Sequence, residues 1–113
     1  MRDQIENNDV IAAFEAFAAA PRPGEVYNIG GGRENAASVL ECIDLIAQLS
    51  PYRVDYTLSE QNRVGDHICY ISDLRKLQGH YPNWRVRMSL EEILAAMIDM
   101  EVWKKNKDLA AAV

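Results

Sequence analysis

The sequence predicts an α/β fold in which helices alternate with short strands. Apolar residues recur at helical spacing in three stretches, and each stretch follows a residue that can cap a helix. Short β-prone runs lie between them at 25–29, 53–57 and 68–71, bounded by glycine, proline or polar residues. The predicted order is therefore helix, strand, helix, strand, strand, short helix, long helix.

The first predicted helix covers residues 9–19, with Asn8 or Asp9 as its cap. Its predicted apolar face consists of Val10, Ala13, Phe14 and Phe17. A Pro-Arg-Pro-Gly run at 21–24 ends the helix, because proline cannot continue it and glycine turns the chain. The strand predicted at 25–29 then stops at three consecutive glycines, 30–32.

The remaining helices are predicted from their capping residues. Ser38 with Glu41, and Ser89 with Glu92, have the spacing of a capping box. The first of these helices is expected to bury Val39, Leu40, Ile43, Ile46 and Ala47, and the second Leu90, Ile93, Leu94, Met97 and Ile98. A short helix is predicted at 73–79, and both tryptophans, Trp84 and Trp103, are expected to pack against apolar faces.

Composition narrows the function classes. The chain has 113 residues, 49% of them hydrophobic and 26% charged, which fits one small globular domain. A net charge of -5 argues against a nucleic acid or an anionic membrane as the partner. Cys42 and Cys69 are expected to be free thiols in a cytoplasmic protein, and the spacing of histidines and cysteines predicts no metal site. Residues 1–108 are expected to form the domain, and 109–113 a frayed tail.

Two catalytic patterns fail on inspection. The glycines at 30–32 suggest a dinucleotide fingerprint, but Asn35 stands where GxGxxG needs its last glycine. We expect the three glycines to form a turn that needs positive φ angles. A contact with a ligand bound elsewhere is the remaining alternative. None of the five tyrosines is followed four residues later by lysine, so the Tyr-x-x-x-Lys pair that moves protons in short-chain reductases is missing. We therefore predict no catalytic and no cofactor-binding residue.

The polar loop 60–67 carries the best candidate binding residues. Arg63 can chelate a phosphate with its planar fork, and Asp66 can accept a bond from a sugar hydroxyl. The alternative is an ordinary loop with an Arg–Asp ion pair. Arg2 is the second candidate for a phosphate, and its alternative is a solvated terminus.

Several runs of residues, read together, resemble a known family. They are Arg-Asp-Gln-Ile at 2–5, Gly-Glu-Val-Tyr-Asn-Ile-Gly-Gly-Gly at 24–32, Asn-Arg-Val-Gly-Asp-His-Ile at 62–68, and His-Tyr-Pro-Asn-Trp at 80–84. The chain resembles the C-terminal third of extended short-chain dehydrogenase/reductases, within the nucleotide-sugar epimerase/dehydratase family, and looks most like the CDP-paratose 2-epimerases, also called CDP-tyvelose epimerases. The likeness covers about residues 2–100.

The resemblance implies a fold and a function. The fold would be a fragment: the last strands of the Rossmann-like unit plus a small substrate-binding part. The arginines matching Arg2 and Arg63 contact the diphosphate, and the aspartate matching Asp66 holds a ribose hydroxyl. The intact family uses NAD to oxidise a CDP-sugar transiently and epimerise it at C2, with the NAD loop and the Tyr-x-x-x-Lys pair upstream of the region matched here.

We therefore expect a truncated epimerase that is inactive alone and binds a CDP-sugar weakly. The alternative is a non-catalytic sugar-nucleotide-binding or assembly module that pairs with a separate NAD-binding half, and an inert remnant is a third interpretation. Short strands with open edges also predict self-association. Two departures from the family pattern stand out: Glu6 replaces histidine, which puts a negative charge near a diphosphate, and Cys69 replaces an aromatic residue.

Overall fold

The computed structural model describes residues 1–51, 53–61, 64–65 and 68–111, with side chains described through Asp108. Its elements in chain order are β1 (Arg2–Asp3), α1 (Asn7–Ala19), β2 (Ala36–Ala37), α2 (Val39–Leu49), α3 (Arg75–His80) and α4 (Leu90–Ala111). A 3-10 turn at Arg33–Asn35 leads into β2. The coarse prediction is confirmed, because helices are combined with a small sheet.

The sheet is smaller than predicted. β1 and β2 pair antiparallel, with Arg2 opposite Ala37 and Asp3 opposite Ala36. Tyr70 adds a single parallel bridge to Arg2, so only one residue of the strand predicted at 68–71 takes part in the sheet. Segments 25–29 and 53–57 are not strands. A β-prone run becomes a strand only when a neighbouring backbone completes its hydrogen bonds, and propensity alone does not supply that neighbour.

Helix α1 begins two residues earlier than predicted, because Glu6 is its cap. The Glu6 carboxylate accepts a hydrogen bond from the backbone N–H of Asn8 at 2.8 Å. Asp9 is instead buried, and its Oδ2 accepts from the backbone N–H groups of Arg87 and Met88 at 3.1 and 3.2 Å. Asp9 therefore anchors the segment that leads into α4.

The apolar face predicted for α1 is partly wrong. Ala13 is buried, but the Phe14 side chain is 61% exposed. The helix instead turns its alanines, Ala12, Ala13 and Ala16, toward the core. Trp84 is buried in the same cluster, and its indole N–H donates to the carbonyl of Asp9 at 2.9 Å. Small side chains on α1 let the indole approach closely enough to make this bond.

The serine half of each predicted capping box is confirmed, and the carboxylates of Glu41 and Glu92 accept from the serine hydroxyls at 3.3 and 3.1 Å. Ser38 Oγ accepts from the N–H of Glu41, and Ser89 Oγ accepts from the N–H of Glu92, each at 3.2 Å. The stripe predicted for α2 is partly wrong, since Val39 is 76% exposed and Leu40 and Ala47 are also exposed. The α2 side chains that pack against the core beside α4 are Cys42, Leu45 and Ile46.

Two apolar clusters hold the described part of the chain together. The first joins α1, α3 and the loop after α3 through Ala13, Leu74, Leu77, Tyr81 and Trp84. The second joins β2, α2 and α4 through Ala37, Leu90 and Leu94. Trp84 packs as predicted, whereas Trp103 does not, because its side chain is 57% exposed. Met97, predicted on the buried face of α4, is 60% exposed.

Candidate functional site

The strand β1 forms the centre of the candidate site, and Asp3 holds its surroundings in place. One carboxylate oxygen of Asp3, Oδ2, accepts from the backbone N–H of Gly32 and from that of Ser72, both at 3.0 Å. Burial raises the pKa of Asp3, but the bonds from these two N–H groups outweigh it, so the pKa lies below its usual value. Asp3 is therefore a charged structural anchor for three separate segments.

The glycine triplet is a packed turn, as predicted. Gly32 has φ 74°, and this positive angle favours glycine. A Cβ on Gly31 would overlap the carbonyl oxygen of Gln4 and would lie 2.7 Å from Cβ of Asn35. A Cβ on Gly30 would overlap the side chains of Ser72 and Asp3. Glycine is needed at positions 30 and 31 because a side chain there would collide with residues of β1 and its neighbours. The N–H of Gly32 already donates to the carboxylate of Asp3.

Arg2 lies beside residues 68–70, which follow the predicted loop 60–67 in the sequence. Its backbone faces Ala37 on one side and bridges Tyr70 on the other. The N-terminal amino group donates to the Ile68 carbonyl at 3.0 Å, and the Tyr70 N–H donates to the Met1 carbonyl at 2.9 Å. The Asp3 N–H donates to the Tyr70 carbonyl at 3.2 Å. Backbone hydrogen bonds thus join residues 1–3 to residues 68–70. Arg2 is exposed.

The other two predicted binding residues, Arg63 and Asp66, lie outside the described residues, as does the neighbouring His67. Glu6 is described, and it has a structural role that the sequence did not reveal, because its carboxylate caps α1. Cys69, the second departure from the family pattern, is exposed and free.

A cluster of polar side chains that the sequence did not predict surrounds Tyr27. Its hydroxyl lies 2.7 Å from Nδ1 of His80, and the two rings meet edge to face. The ammonium of Lys76 lies 5.2 Å from the centre of the Tyr27 ring and 2.7 Å from a carboxylate oxygen of Glu25. The same ammonium donates to the carbonyl of Val26 at 2.9 Å. About 50 residues of sequence separate Tyr27 from Lys76 and His80. No local sequence pattern predicts a contact over that separation.

The electrostatics of this cluster oppose acid–base work by Tyr27 near neutral pH. Loss of hydration, and then the neighbouring Tyr81, raise the pKa of the Tyr27 hydroxyl above its usual value. Lys76 lowers the pKa of Glu25 by hydrogen bonding to it. The Lys76 charge therefore serves a carboxylate, whereas a catalytic tyrosine needs a neighbouring cation that lowers its own pKa.

The described residues were also compared with what a metal site or a reactive thiol requires. In the part of the chain that the structure describes, no three histidine, cysteine or acidic side chains could hold a metal ion together. Cys42 and Cys69 are free, and burial, followed by the nearby Glu41, raises the pKa of the Cys42 thiol. A thiol with a raised pKa is a poor nucleophile.

Two apolar cavities lie elsewhere on the surface. One, of about 440 Å³, is lined by Phe14 and Phe17 of α1 together with Tyr27, Ile29 and Tyr81. The other, of about 460 Å³, is the α4 groove, which lies between the end of α2 and the middle of α4. Arg2 lines neither cavity. Among the helices of the described residues, none combines the length and the apolar character that a membrane span requires.

Comparison with known proteins adds no relative from which a role could be transferred. No protein-family model, no curated protein and no solved structure matches the chain.

Proposed function

We propose that the chain is the substrate-side part of a nucleotide-sugar epimerase and that it binds the nucleotide diphosphate without performing the redox chemistry. Arg63 is the main phosphate ligand, Arg2 adds positive charge, and Asp66 accepts a bond from a ribose hydroxyl. The resemblance of the sequence to extended short-chain dehydrogenase/reductases motivates these roles, and the chemistry of a planar guanidinium suits a diphosphate.

One structural observation supports the proposal most directly. Residues 1–3 are hydrogen bonded to residues 68–70, so Arg2 lies beside the end of the segment that carries the other two candidates. In the sequence, Asp66 precedes Ile68 by two residues and Arg63 precedes it by five. Arg2 is therefore close in space to residues that follow Arg63 and Asp66 in the sequence.

The NAD of the intact family does not fit the described residues. A dinucleotide site needs free backbone N–H groups in a tight turn between a strand and a helix. Here the N–H of Gly32 is bound by Asp3, and a 3-10 turn and β2 separate the glycines from α2. Tyr27 contacts Lys76, but its pKa is raised, which is unfavourable for proton transfer near neutral pH.

Titration of CDP into the isotope-labelled chain, followed by NMR chemical shifts, tests the binding role. We expect weak, saturable shifts with a dissociation constant of about 1 mM, which corresponds to about 4 kcal/mol. Arg63→Ala removes charge-assisted bonds worth roughly 1.5–3 kcal/mol, so binding should become undetectable. Arg63→Lys should recover part of it, since an ammonium cannot form the bidentate contact. Gln61→Ala is the matched loop control and should bind like the wild type.

An Arg63→Ala variant that binds CDP as tightly as the wild type would show that Arg63 is an ordinary loop charge. The absence of catalysis has its own test: the pure chain is incubated with CDP-paratose and NAD, and the product is followed by NMR. We expect no turnover. Turnover that disappears on Tyr27→Phe would contradict the proposal, because it would assign proton transfer to a tyrosine whose ring lies beside the Lys76 ammonium.

A further inference from the structure

A pocket between helix α1 and the segment that leads into α4 contains two arginines. Its volume is about 370 Å³, which lies in the lower part of the range of roughly 300–1,000 Å³ typical of small-molecule sites. We call it the arginine pocket, and the described residues that line it are Ala12, Glu15, Ala16, Asn83, Trp84, Arg85 and Arg87.

The backbone of the arginine segment is held on both sides of Arg85. The indole N–H of Trp84 donates to the Asp9 carbonyl at 2.9 Å, and the backbone N–H of Arg87 donates to Asp9 Oδ2 at 3.1 Å. Trp84 is buried and Val86 is half-buried, whereas the two arginines that alternate with them are exposed. Alternation of this kind places both arginines on the same side of the chain. Binding a ligand would therefore order only their side chains, because the backbone is fixed in advance.

Both guanidinium groups are available to an anion. Within the part of the chain that the structure describes, no ion pair or side-chain hydrogen bond engages the guanidinium of Arg85 or of Arg87. The Asp9 carboxylate does not compete for them, because it is buried and already accepts from two backbone N–H groups. Residues 74–90 include four lysines and arginines and no acidic residue, although the net charge of the chain is -5. The two arginines thus form a local positive site on an acidic chain.

We infer that the arginine pocket binds a small phosphate monoester that also carries hydroxyl groups. A phosphate monoester is close to a dianion at neutral pH and has three acceptor oxygens, so it suits two guanidinium groups better than a carboxylate with one charge and two oxygens. Glu15 repels a bare anion but accepts from a hydroxyl, and it therefore favours a ligand with a hydroxyl beyond the phosphate. The amide of Asn83 can donate to the phosphate or accept from a hydroxyl. Ala12 and Ala16, one helical turn apart, leave room for the body of the ligand.

Titration of the whole isotope-labelled chain, followed by NMR chemical shifts, tests the inference with three probes: glucose 6-phosphate, inorganic phosphate and glucose. The indole N–H of Trp84 is the reporter in the pocket, and that of Trp103, on α4, is the internal control. Trp103→Phe identifies which signal belongs to which tryptophan. We expect saturable shifts of the Trp84 signal with glucose 6-phosphate, weaker binding of inorganic phosphate and no binding of glucose.

Two double variants with the same loss of charge separate the pocket from net charge. Arg85→Ala/Arg87→Ala should bind glucose 6-phosphate roughly 10-fold or more weakly than the wild type, because charge-assisted contacts are lost. Arg22→Ala/Arg33→Ala, at two exposed positions that do not line the pocket, should bind like the wild type.

A Trp84 signal that does not saturate in the wild type would overturn the inference, as would equal affinity in Arg85→Ala/Arg87→Ala or equal weakening in the control. Glucose that shifts the Trp84 signal as strongly as its phosphate would refute the phosphate contact. Inorganic phosphate that binds as tightly as glucose 6-phosphate would refute the roles of Glu15 and Asn83. If circular dichroism shows that the alanine variant loses helix, Arg85→Gln/Arg87→Gln must weaken binding instead, and unchanged binding refutes the inference.

Arg2, Arg63 and Asp66 take no part in these contacts, so the arginine pocket and the nucleotide-sugar role can fail separately. CDP also carries phosphate, and its binding under the proposed function is followed at the signals of residues 1–3 and 68–70. These residues do not line the arginine pocket.

Discussion

The side-chain oxygen of Asn35 lies 3.1 Å from the backbone nitrogen of Leu90 and accepts its hydrogen bond, so the 3-10 turn satisfies a free N–H in the first turn of α4. The side-chain nitrogen of the same Asn35 donates to the carbonyls of Gln4 and Met88 at 3.2 and 2.9 Å. Asn35 is the residue that breaks the dinucleotide fingerprint. Its side-chain amide binds three backbone groups at this position, because it supplies both an acceptor oxygen and two N–H donors.

Asn35→Ala should therefore destabilise the fold by about 2–3 kcal/mol, since it leaves two carbonyls and one N–H without their partner in a buried position. Asn35→Asp should also destabilise it, because a carboxylate would face the two carbonyls. Urea unfolding followed by circular dichroism measures both. Asn28→Ala, at an exposed position, is the control, and equal midpoints for Asn28→Ala and Asn35→Ala would refute the anchoring role.

Asp3 should make stability depend on acid pH. Its pKa is lowered in the folded chain, so the ionised form is favoured by folding and the stabilisation is present above the unfolded pKa of about 3.9. The stabilisation is lost as the pH falls through the folded pKa. Asp3→Asn should be less stable than the wild type at neutral pH, and the difference should shrink in acid.

The measurement is the free energy of unfolding of wild type and Asp3→Asn across the acid range. Asp44→Asn, at an exposed position on α2, serves as the control and should change little at any pH. A difference between Asp3→Asn and wild type that stays constant down to the lowest pH would mean that the carboxylate charge does not hold Gly32 and Ser72.

Gly31→Ala and Gly79→Ala should change stability in opposite directions. At Gly31 a Cβ would overlap the carbonyl of Gln4 next to β1, and backbone cannot move aside cheaply. We expect a loss of at least 1–3 kcal/mol, the cost of about one overpacked methyl group. Gly79 lies within α3, and a methyl group added there would meet no atom within 4 Å, so alanine should stabilise by about 0.5–1 kcal/mol. Thermal unfolding of the two variants distinguishes crowding from helix propensity, and a tolerated Gly31→Ala would refute the close packing of β1.

Local patterns in the sequence predicted the local features of this fold. The serine caps at Ser38 and Ser89 form as expected, because each depends on residues three positions apart. Features that depend on distant partners were predicted poorly. The run 25–29 lacks a backbone neighbour, and the rotation of α1 is set by Trp84, which needs alanines against it.

The same distinction separates the site residues. The turn at Gly32 was predicted because positive φ is a local property of glycine. The contact of Tyr27 with Lys76 and His80 was missed, since only the folded chain brings them together. The pairing of residues 1–3 with 68–70, which places Arg2, is another long-range contact without a local signal.

Glu6 allows helix capping and ligand electrostatics to be separated in one position. Its carboxylate caps α1, and under the proposed function its negative charge lies near the bound diphosphate and opposes it. Glu6→His, which introduces the residue expected from the family, should lose the cap and cost about 0.5–2 kcal/mol of stability, while CDP binds more tightly. Glu6→Ser should keep the cap, because serine caps helices well, and should tighten CDP binding with little change in stability.

Unfolding curves and CDP titrations of both variants provide the readouts, and Glu15→Gln, an exposed change of equal charge on α1, is the control. Tighter CDP binding by Glu15→Gln as well would assign the effect to net charge, and unchanged binding by Glu6→Ser would place the diphosphate away from the start of α1.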